Sequence, residues 1–259
     1  MSSSVLLPCS PPRRAALVLA VSLACSLALA APAALALDAV KRAVDLPPSA
    51  DLTYTIKARQ KGFALNGDAT ANWRLADGKY SFRSVTRAAL FGNLIDNSSE
   101  GAVDSYGLAP AQFVEKRIRH DAWTTTFDRS RQQISFTESD VSYPIKGGEQ
   151  DRNSVLFQLA GVARAAPDKF VPGSEWTFFV AGRRDADVWT FRVVKRDAVQ
   201  TGLGSVDTVH VMRMAPPDSK EQALDIWLAP SKQWYPVRLR FTDNDDEFVE
   251  QTLQTITKK

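Results

Sequence analysis

Period-two alternation of apolar side chains constrains this chain more than any other feature. It runs through Leu52, Tyr54 and Ile56, through Tyr80 and Phe82, and through Trp176, Phe178 and Val180. It returns at Trp189, Phe191 and Val193, at Leu224, Ile226 and Leu228, and at Val237, Leu239 and Phe241. Successive side chains of an extended strand point to opposite faces, so this spacing, rich in aromatic and β-branched residues, means strands with one buried face. Asp77-Gly78, between Leu75 and Tyr80, is a two-residue hairpin signal, because a type I′ turn needs positive φ at both central positions. Asn66-Gly67, Gly147-Gly148, Gly202-Leu203-Gly204 and Asp243-Asn244-Asp245-Asp246 read as further turns. The expected fold class is all-β dominated: a large curved antiparallel sheet or half-open barrel of about twelve strands.

One segment departs from this period. Between Asp151 and Arg164 the apolar residues Val155, Leu156, Leu159, Val162 and Ala163 share one face of an α-helix, and Pro167 stops it. Asp151, Asn153 or Ser154 can cap its start. A single amphipathic helix beside a large sheet must bury its stripe, and the concave face is the place for it. That arrangement leaves either a cavity beside the helix or a core filled by side chains.

The first residues read as a secretory leader. Arg13 and Arg14 precede an apolar run from Ala15 to Leu29, and the small-residue triplets Ala28-Leu29-Ala30 and Ala34-Leu35-Ala36 follow. Cleavage is expected after Ala36, with Ala30 as the alternative, giving a signal peptide over 1–36 and a single β-rich domain over 37–259. Ser22-Leu23-Ala24-Cys25 has Ser22 where a lipoprotein signal carries an apolar residue, so an outer-membrane lipoprotein is not expected. Cys9 and Cys25 both fall in the leader. The mature chain therefore has no thiol for disulfides, zinc or redox chemistry, and must be held by its core alone. The charge balance, 32 Lys and Arg against 29 Asp and Glu, gives no support to a nucleic-acid binder.

Short elements recur in a familiar order: Gly107-Leu108-Ala109-Pro110 with Phe113, Phe127-Asp128, Gln150-Asp151-Arg152-Asn153-Ser154, Trp227-Leu228-Ala229-Pro230 and Pro236-Val237-Arg238-Leu239. Together they resemble the exported bacterial family called domain of unknown function 3108, over roughly residues 52–253. The resemblance implies a Gram-negative periplasmic β-rich protein, related in shape to lipoprotein-localisation carriers with an open barrel and a helical lid. It implies no catalytic mechanism.

Candidate chemistry is sparse. His120 and His210 lack the short spacing of a metal motif, and no Gly-x-Ser-x-Gly elbow, phosphate loop or dinucleotide fingerprint occurs. No catalytic residue, metal or cofactor is expected. The acidic run from Asp243 to Glu247 lacks the Gly and downstream Glu of a calcium loop and reads as a solvated turn. Lys57, Arg59 and Lys61, Arg117 with Arg119, and Arg238 with Arg240 recur at period two and read as outer-face stripes. Asp151 at a helix start is expected to have a lowered pKa. The candidate ligand-binding residues are Gln150, Asp151 and Ser154.

The function read from this pattern is a periplasmic, non-enzymatic binding or carrier module. Its ligand is an apolar or amphipathic, lipid-like envelope component held between sheet and helix. The alternatives are a hydrolase of envelope polysaccharide or peptidoglycan using dispersed acids such as Asp128 or Asp151, and a protein-binding envelope scaffold. Membrane contact is expected to be peripheral at most, and a monomer is favoured.

Overall fold

The computed structural model describes residues 40–88, 92–214, 222–244 and 247–259. The leader reading lies outside them. The strands are β1 (Ala50–Gln60), β2 (Phe63–Ala76), β3 (Lys79–Ala88), β4 (Gly92–Asp104), β5 (Gly107–Arg117), β6 (Trp123–Asp128), β7 (Gln133–Phe136), β8 (Ser139–Pro144) and β9 (Gln150–Asp151). The helix α1 (Ser154–Ala165) follows, then β10 (Glu175–Ala181), β11 (Ala186–Thr201), β12 (Gly204–Met214), β13 (Ala223–Leu228), β14 (Pro236–Asn244) and β15 (Glu247–Lys258).

All fifteen strands form one sheet in the order β8-β7-β6-β5-β4-β3-β2-β1-β15-β14-β13-β12-β11-β10-β9. Every neighbour pair is antiparallel except β9 with β10. The count exceeds the expected twelve or so; strands such as β9, with two residues, and β7, with four, are too short for alternation to register. The residues that alternation assigns inward do face inward: Leu52, Tyr54, Ile56, Phe191, Val193, Ile226, Leu228 and Val237 are all in the main core.

The sheet overlaps itself instead of closing. In β10, Phe178 and Val180 belong to the main core, while Phe179 and Ala181 join a second cluster with Phe127, Ile134 and Phe136. Strands β6–β8 therefore cover the other face of β10. Thr125 Oγ1 donates to Gly182 C=O at 2.7 Å across this overlap, and Arg183 pairs with Glu138 at 2.6 Å.

The Asp77-Gly78 hairpin is present, with φ of 51° and 68° at its two turn residues. Asn66-Gly67 is not a turn. It lies inside β2, and the chain reverses at Lys61-Gly62, with φ of 50° and 80°. Gly67 serves close approach instead: a Cβ there would stand 2.1 Å from the carbonyl oxygen of Arg87 on β3. Lys57 and Arg59 are exposed strand residues, whereas Lys61 belongs to the turn.

Helix α1 starts at Ser154, later than Asp151, and is buried all round from Ser154 to Ala163. The helix is therefore not amphipathic in the one-sided sense its apolar spacing predicts: residues outside the stripe are buried as well. Phe157 stacks on Trp73 of β2 with centroids 4.3 Å apart and meets Phe82 of β3 at 5.1 Å. Further along this same side, away from the apolar stripe, Gly161 and Arg164 are covered by a strap, residues 40–49, that has no regular secondary structure. Asp45 N–H donates to Gly161 C=O at 3.0 Å, Arg164 pairs with Asp45 at 3.0 Å, and Trp73 Nε1 donates to Pro47 C=O at 2.9 Å. Gly161 permits the contact, because a Cβ would meet Val44 and Leu46 side chains at 2.9 and 3.0 Å.

Candidate functional site

The junction of β9 and α1 joins the two halves of the sheet through buried polar groups. Asp151 Oδ1 accepts the backbone N–H groups of Asn153 and Ser154, both at 2.8 Å, so the carboxylate caps the helix from outside its first turn. Its Oδ2 accepts from Ser99 Oγ of β4 at 2.5 Å, and Ser99 in turn lies 2.9 Å from the Tyr80 hydroxyl of β3. Asp151 N–H donates to Ser154 Oγ at 2.9 Å. Gln150 Nε2 donates to Leu108 C=O at 2.8 Å, and Gln158 Oε1 of α1 accepts from Leu108 N–H at 2.8 Å. Together these bonds tie β3, β4 and β5 to the β9 end of the sheet.

Gln150, Asp151 and Ser154 are thus brought together, each with 0% exposure. The expected lowering of the Asp151 pKa is overturned. Burial outweighs the hydrogen bonds from Ser99, Ser154 and Asn153, and pushes the carboxyl up to about 6. Withdrawal from water costs an ionised carboxylate more than these donors return.

Beside this junction lies a cavity of about 740 Å³. Its floor includes Leu156 and Phe157 of α1. Ile56, Leu224, Leu239, Phe241 and Val249, from β1 and β13–β15, form an apolar wall. Asn97 and Glu115 of the paired strands β4 and β5, with Arg117 at the end of β5, supply polar groups. Arg152 and Asn153 of the junction, Trp189 of β11 and Arg213 of β12 supply more. The residues adjoining Gln150, Asp151 and Ser154 in sequence, not those three, reach the cavity.

None of these polar lining residues was among the sequence candidates, and two of them, Arg213 and Glu115, broke a visible pattern. Arg213 continues the inward series Val209, Val211, and is 7% exposed with its guanidinium 3.9 Å from the Trp189 ring centroid. Glu115 follows Phe113 in the same way and accepts from Arg117 Nε at 2.5 Å. A charge at an inward position of an alternating strand is the signal in both cases. Asn153, by contrast, carried only a capping signal; it is the N-cap residue but makes no side-chain cap bond. Arg117 shares that inward series, so it is not an outer-face residue, and Arg119 sits in the following turn at φ 61°.

The other candidates serve turns and strands. Asp128 Oδ1 accepts from Ser130 Oγ at 2.6 Å and from the backbone of Ser130 and Arg131, which holds its carboxyl low. His210 lies 2.6 Å from Asp225 and stacks on Trp227 with centroids 4.4 Å apart. His120 is exposed in a turn. Of the acidic run, Asp245 and Asp246 lie outside the described residues. No three His, Cys, Asp or Glu side chains gather as a metal site among the described residues.

The geometry defines a class: an overlapped antiparallel β-sheet that wraps one helix and keeps a cavity beside it. The chain belongs to the family described as protein of unknown function DUF3108, whose model matches residues 53–254. Its fold is similar to that of a β-barrel-like protein of the domain of unknown function DUF1849 from Brucella abortus. That likeness has 12% identity and a TM-score of 0.53, over 84% of this chain and 100% of that one. A DUF1089 family protein from Pseudomonas aeruginosa aligns at 11% identity and a TM-score of 0.35, over 65% and 87% of the two chains. The Mycobacterium tuberculosis lipoprotein LppX aligns at 10% identity and a TM-score of 0.24, over 80% and 87%. No curated protein matches the chain.

Proposed function

We propose that this chain is an exported, periplasmic, non-enzymatic carrier or binding module for an apolar or amphipathic envelope ligand, acting as a single domain over residues 37–259. The observation that carries this reading is the cavity of about 740 Å³ between sheet and helix, within the range of small-molecule sites, roughly 300–1,000 Å³. Its apolar wall and helix floor suit a hydrocarbon, and its polar groups suit one hydrated end. The leader pattern supports export, and an envelope lipid is the natural partner there. Gln150, Asp151 and Ser154 take a positioning role in this reading: their hydrogen bonds fix the loop that presents Arg152 and Asn153.

The test is direct. Protein purified from the periplasm without detergent should carry a lipid-like mass in native mass spectrometry, and after delipidation should bind the apolar fluorophore N-phenyl-1-naphthylamine. Ala58 lines the cavity and is only half-buried, so Ala58→Trp fills the space without disturbing the core. That variant should melt like the wild type and lose both the co-purified mass and the fluorophore. Equal binding by wild type and variant would show that the cavity is not the binding site.

A further inference from the structure

We infer that the tip of the β1–β2 hairpin docks on an anionic phospholipid bilayer and sets the mouth of the cavity against it, an inference that rests for its purpose on the carrier reading above. Strands β1 to β5 alternate in direction, so the ends of β1, β3 and β5 lie beside the starts of β2 and β4. That end of the sheet bears exposed apolar side chains: Phe63, Leu65 and Ile118. Phe63 is 71% exposed, more than any other large apolar side chain among the described residues. Single exposed apolar residues are ordinary; these are set apart by where they point. Phe63 stands directly opposite Gln60, and Leu65 directly opposite Ala58, and directly opposed residues share one face of a sheet. Gln60, Ala58 and Leu65 all line the cavity. Phe63 therefore carries the cavity-lining face of the hairpin out to its tip.

Charge identifies what covers this tip. Lys57 and Arg59 alternate with the inward-facing Ile56 and Ala58, so they stand on the outer face of the same hairpin. Lys61 is in its turn, and Arg119 follows β5. All four are exposed, and none of their side chains forms an ion pair among the described residues. The acids nearest to them are mostly engaged elsewhere. Glu115 pairs with Arg117 at 2.5 Å, Glu250, opposite Lys57, pairs with Arg240 at 3.3 Å, and Asp68 stands opposite Arg87. Asp121 remains beside Arg119, and Asp243 and Glu247 lie across the rim at the β14–β15 end. The rim is thus cationic on the β1–β5 side, where the apolar side chains are. Apolar insertion and attraction of nearby Lys and Arg to acidic head groups reinforce each other at an anionic interface. A hydrocarbon leaving that interface passes over Phe63 and Leu65 into the cavity without crossing open water.

Co-sedimentation of the full mature chain with vesicles tests this. Partition into vesicles of mixed phosphatidylglycerol and phosphatidylcholine should exceed that into phosphatidylcholine alone by about tenfold or more, and high salt should remove the difference. Phe63→Ser should weaken partition into the mixed vesicles by about tenfold, and Lys57→Gln combined with Arg59→Gln should do as much. Leu203, exposed in the β11–β12 turn at the opposite end of the strands, is the control, and Leu203→Ser should change nothing. Residues 37–259 contain no cysteine, so Phe63→Cys and Leu203→Cys each accept a single nitrobenzoxadiazole label. The label at 63 should brighten and shift to the blue on mixed vesicles, while the label at 203 stays as in water. Equal partition into both kinds of vesicle, or partition indifferent to the Phe63 and Lys57–Arg59 variants, would overturn the docking surface. Self-association of the wild type without vesicles, abolished by Phe63→Ser, would make the tip an interface between copies and overturn the bilayer. A wild type that ignores vesicles yet takes up N-phenyl-1-naphthylamine would overturn the docking and leave the carrier reading standing. One that binds vesicles through Phe63 but takes up no fluorophore would uphold the docking and overturn the carrier reading.

Discussion

Asp151 is held where its ionised form is penalised, and stability should report that directly. Its pKa in the fold, about 6, lies above the value near 4 of an unfolded chain. Between those values the folded state binds the extra proton, so the Asp151 contribution to stability falls as pH rises from about 4 to about 6 and is level on either side. At roughly 1.4 kcal/mol for each pH unit the decline amounts to about 3 kcal/mol. A protonated Asp151 can donate to Ser99, which then donates to Tyr80, so the chain of hydroxyls accommodates either state by reversing direction. Asp151→Asn should remove the decline and should be the more stable protein at pH 7.5. Urea unfolding of both proteins from pH 4 to 7 checks this. A difference in stability between the two proteins that stays level across that range would show that the carboxyl is not desolvated as the fold implies. The sequence placed Asp151 correctly at a helix start, where the dipole alone argues for a lowered pKa. What it lacked was Ser99 and Tyr80, which arrive from strands about 50 and 70 residues earlier and seal the carboxyl from water.

The helix shows how an element can be legible while its surroundings are not. Its spacing of Val155, Leu156, Leu159 and Val162 was plain, but the strap that covers its other side has no period for a sequence reading to detect. Alternating strands were equally plain, and Arg213 and Glu115 could have been found as the charges that interrupt them. Two variants separate the sides of the helix. Leu159→Asp puts an unpaired carboxylate at a fully buried position, a cost of several kcal/mol, so the protein should fail to accumulate folded. Gly161→Val adds side-chain atoms against Val44 and Leu46, and the loss of a helix-interior glycine offsets part of the strain. It should lower the melting temperature by a few degrees, far less than Leu159→Asp, while proteolysis within residues 40–49 becomes faster. Protection of the strap equal to wild type would mean that Val44 and Leu46 give way without detaching.

At the scale of the whole molecule the sheet is least tolerant at its middle, where the first and last strands meet. Thr252 of β15 is paired with Thr55 on one side and Arg238 on the other, whereas Val141 lies on the edge strand β8. Thr252→Pro removes a ladder donor and strands the acceptor opposite, and should cost at least about 2 kcal/mol. Val141→Pro should cost far less. Urea midpoints of the two variants decide the matter, and equal losses would mean that the β1–β15 pairing is not central to stability. The same pairing has a consequence for how the chain could be cut. Every other antiparallel neighbour pair in the sheet is formed by strands consecutive in sequence; β1 and β15 alone are far apart, and Lys259 N–H donates to Ser49 C=O at 3.0 Å beside them. Linking Lys259 to the start of the strap and opening the chain between Pro144 and Glu149 would yield a circular permutant. In it, β10 through β15 run on into β1 through β8 as one antiparallel meander, with β9 and α1 leading into it. Its antiparallel contacts would all be local, so it should reach the same fold faster than the natural order, in which the central ladder must wait for residues some two hundred apart to find each other.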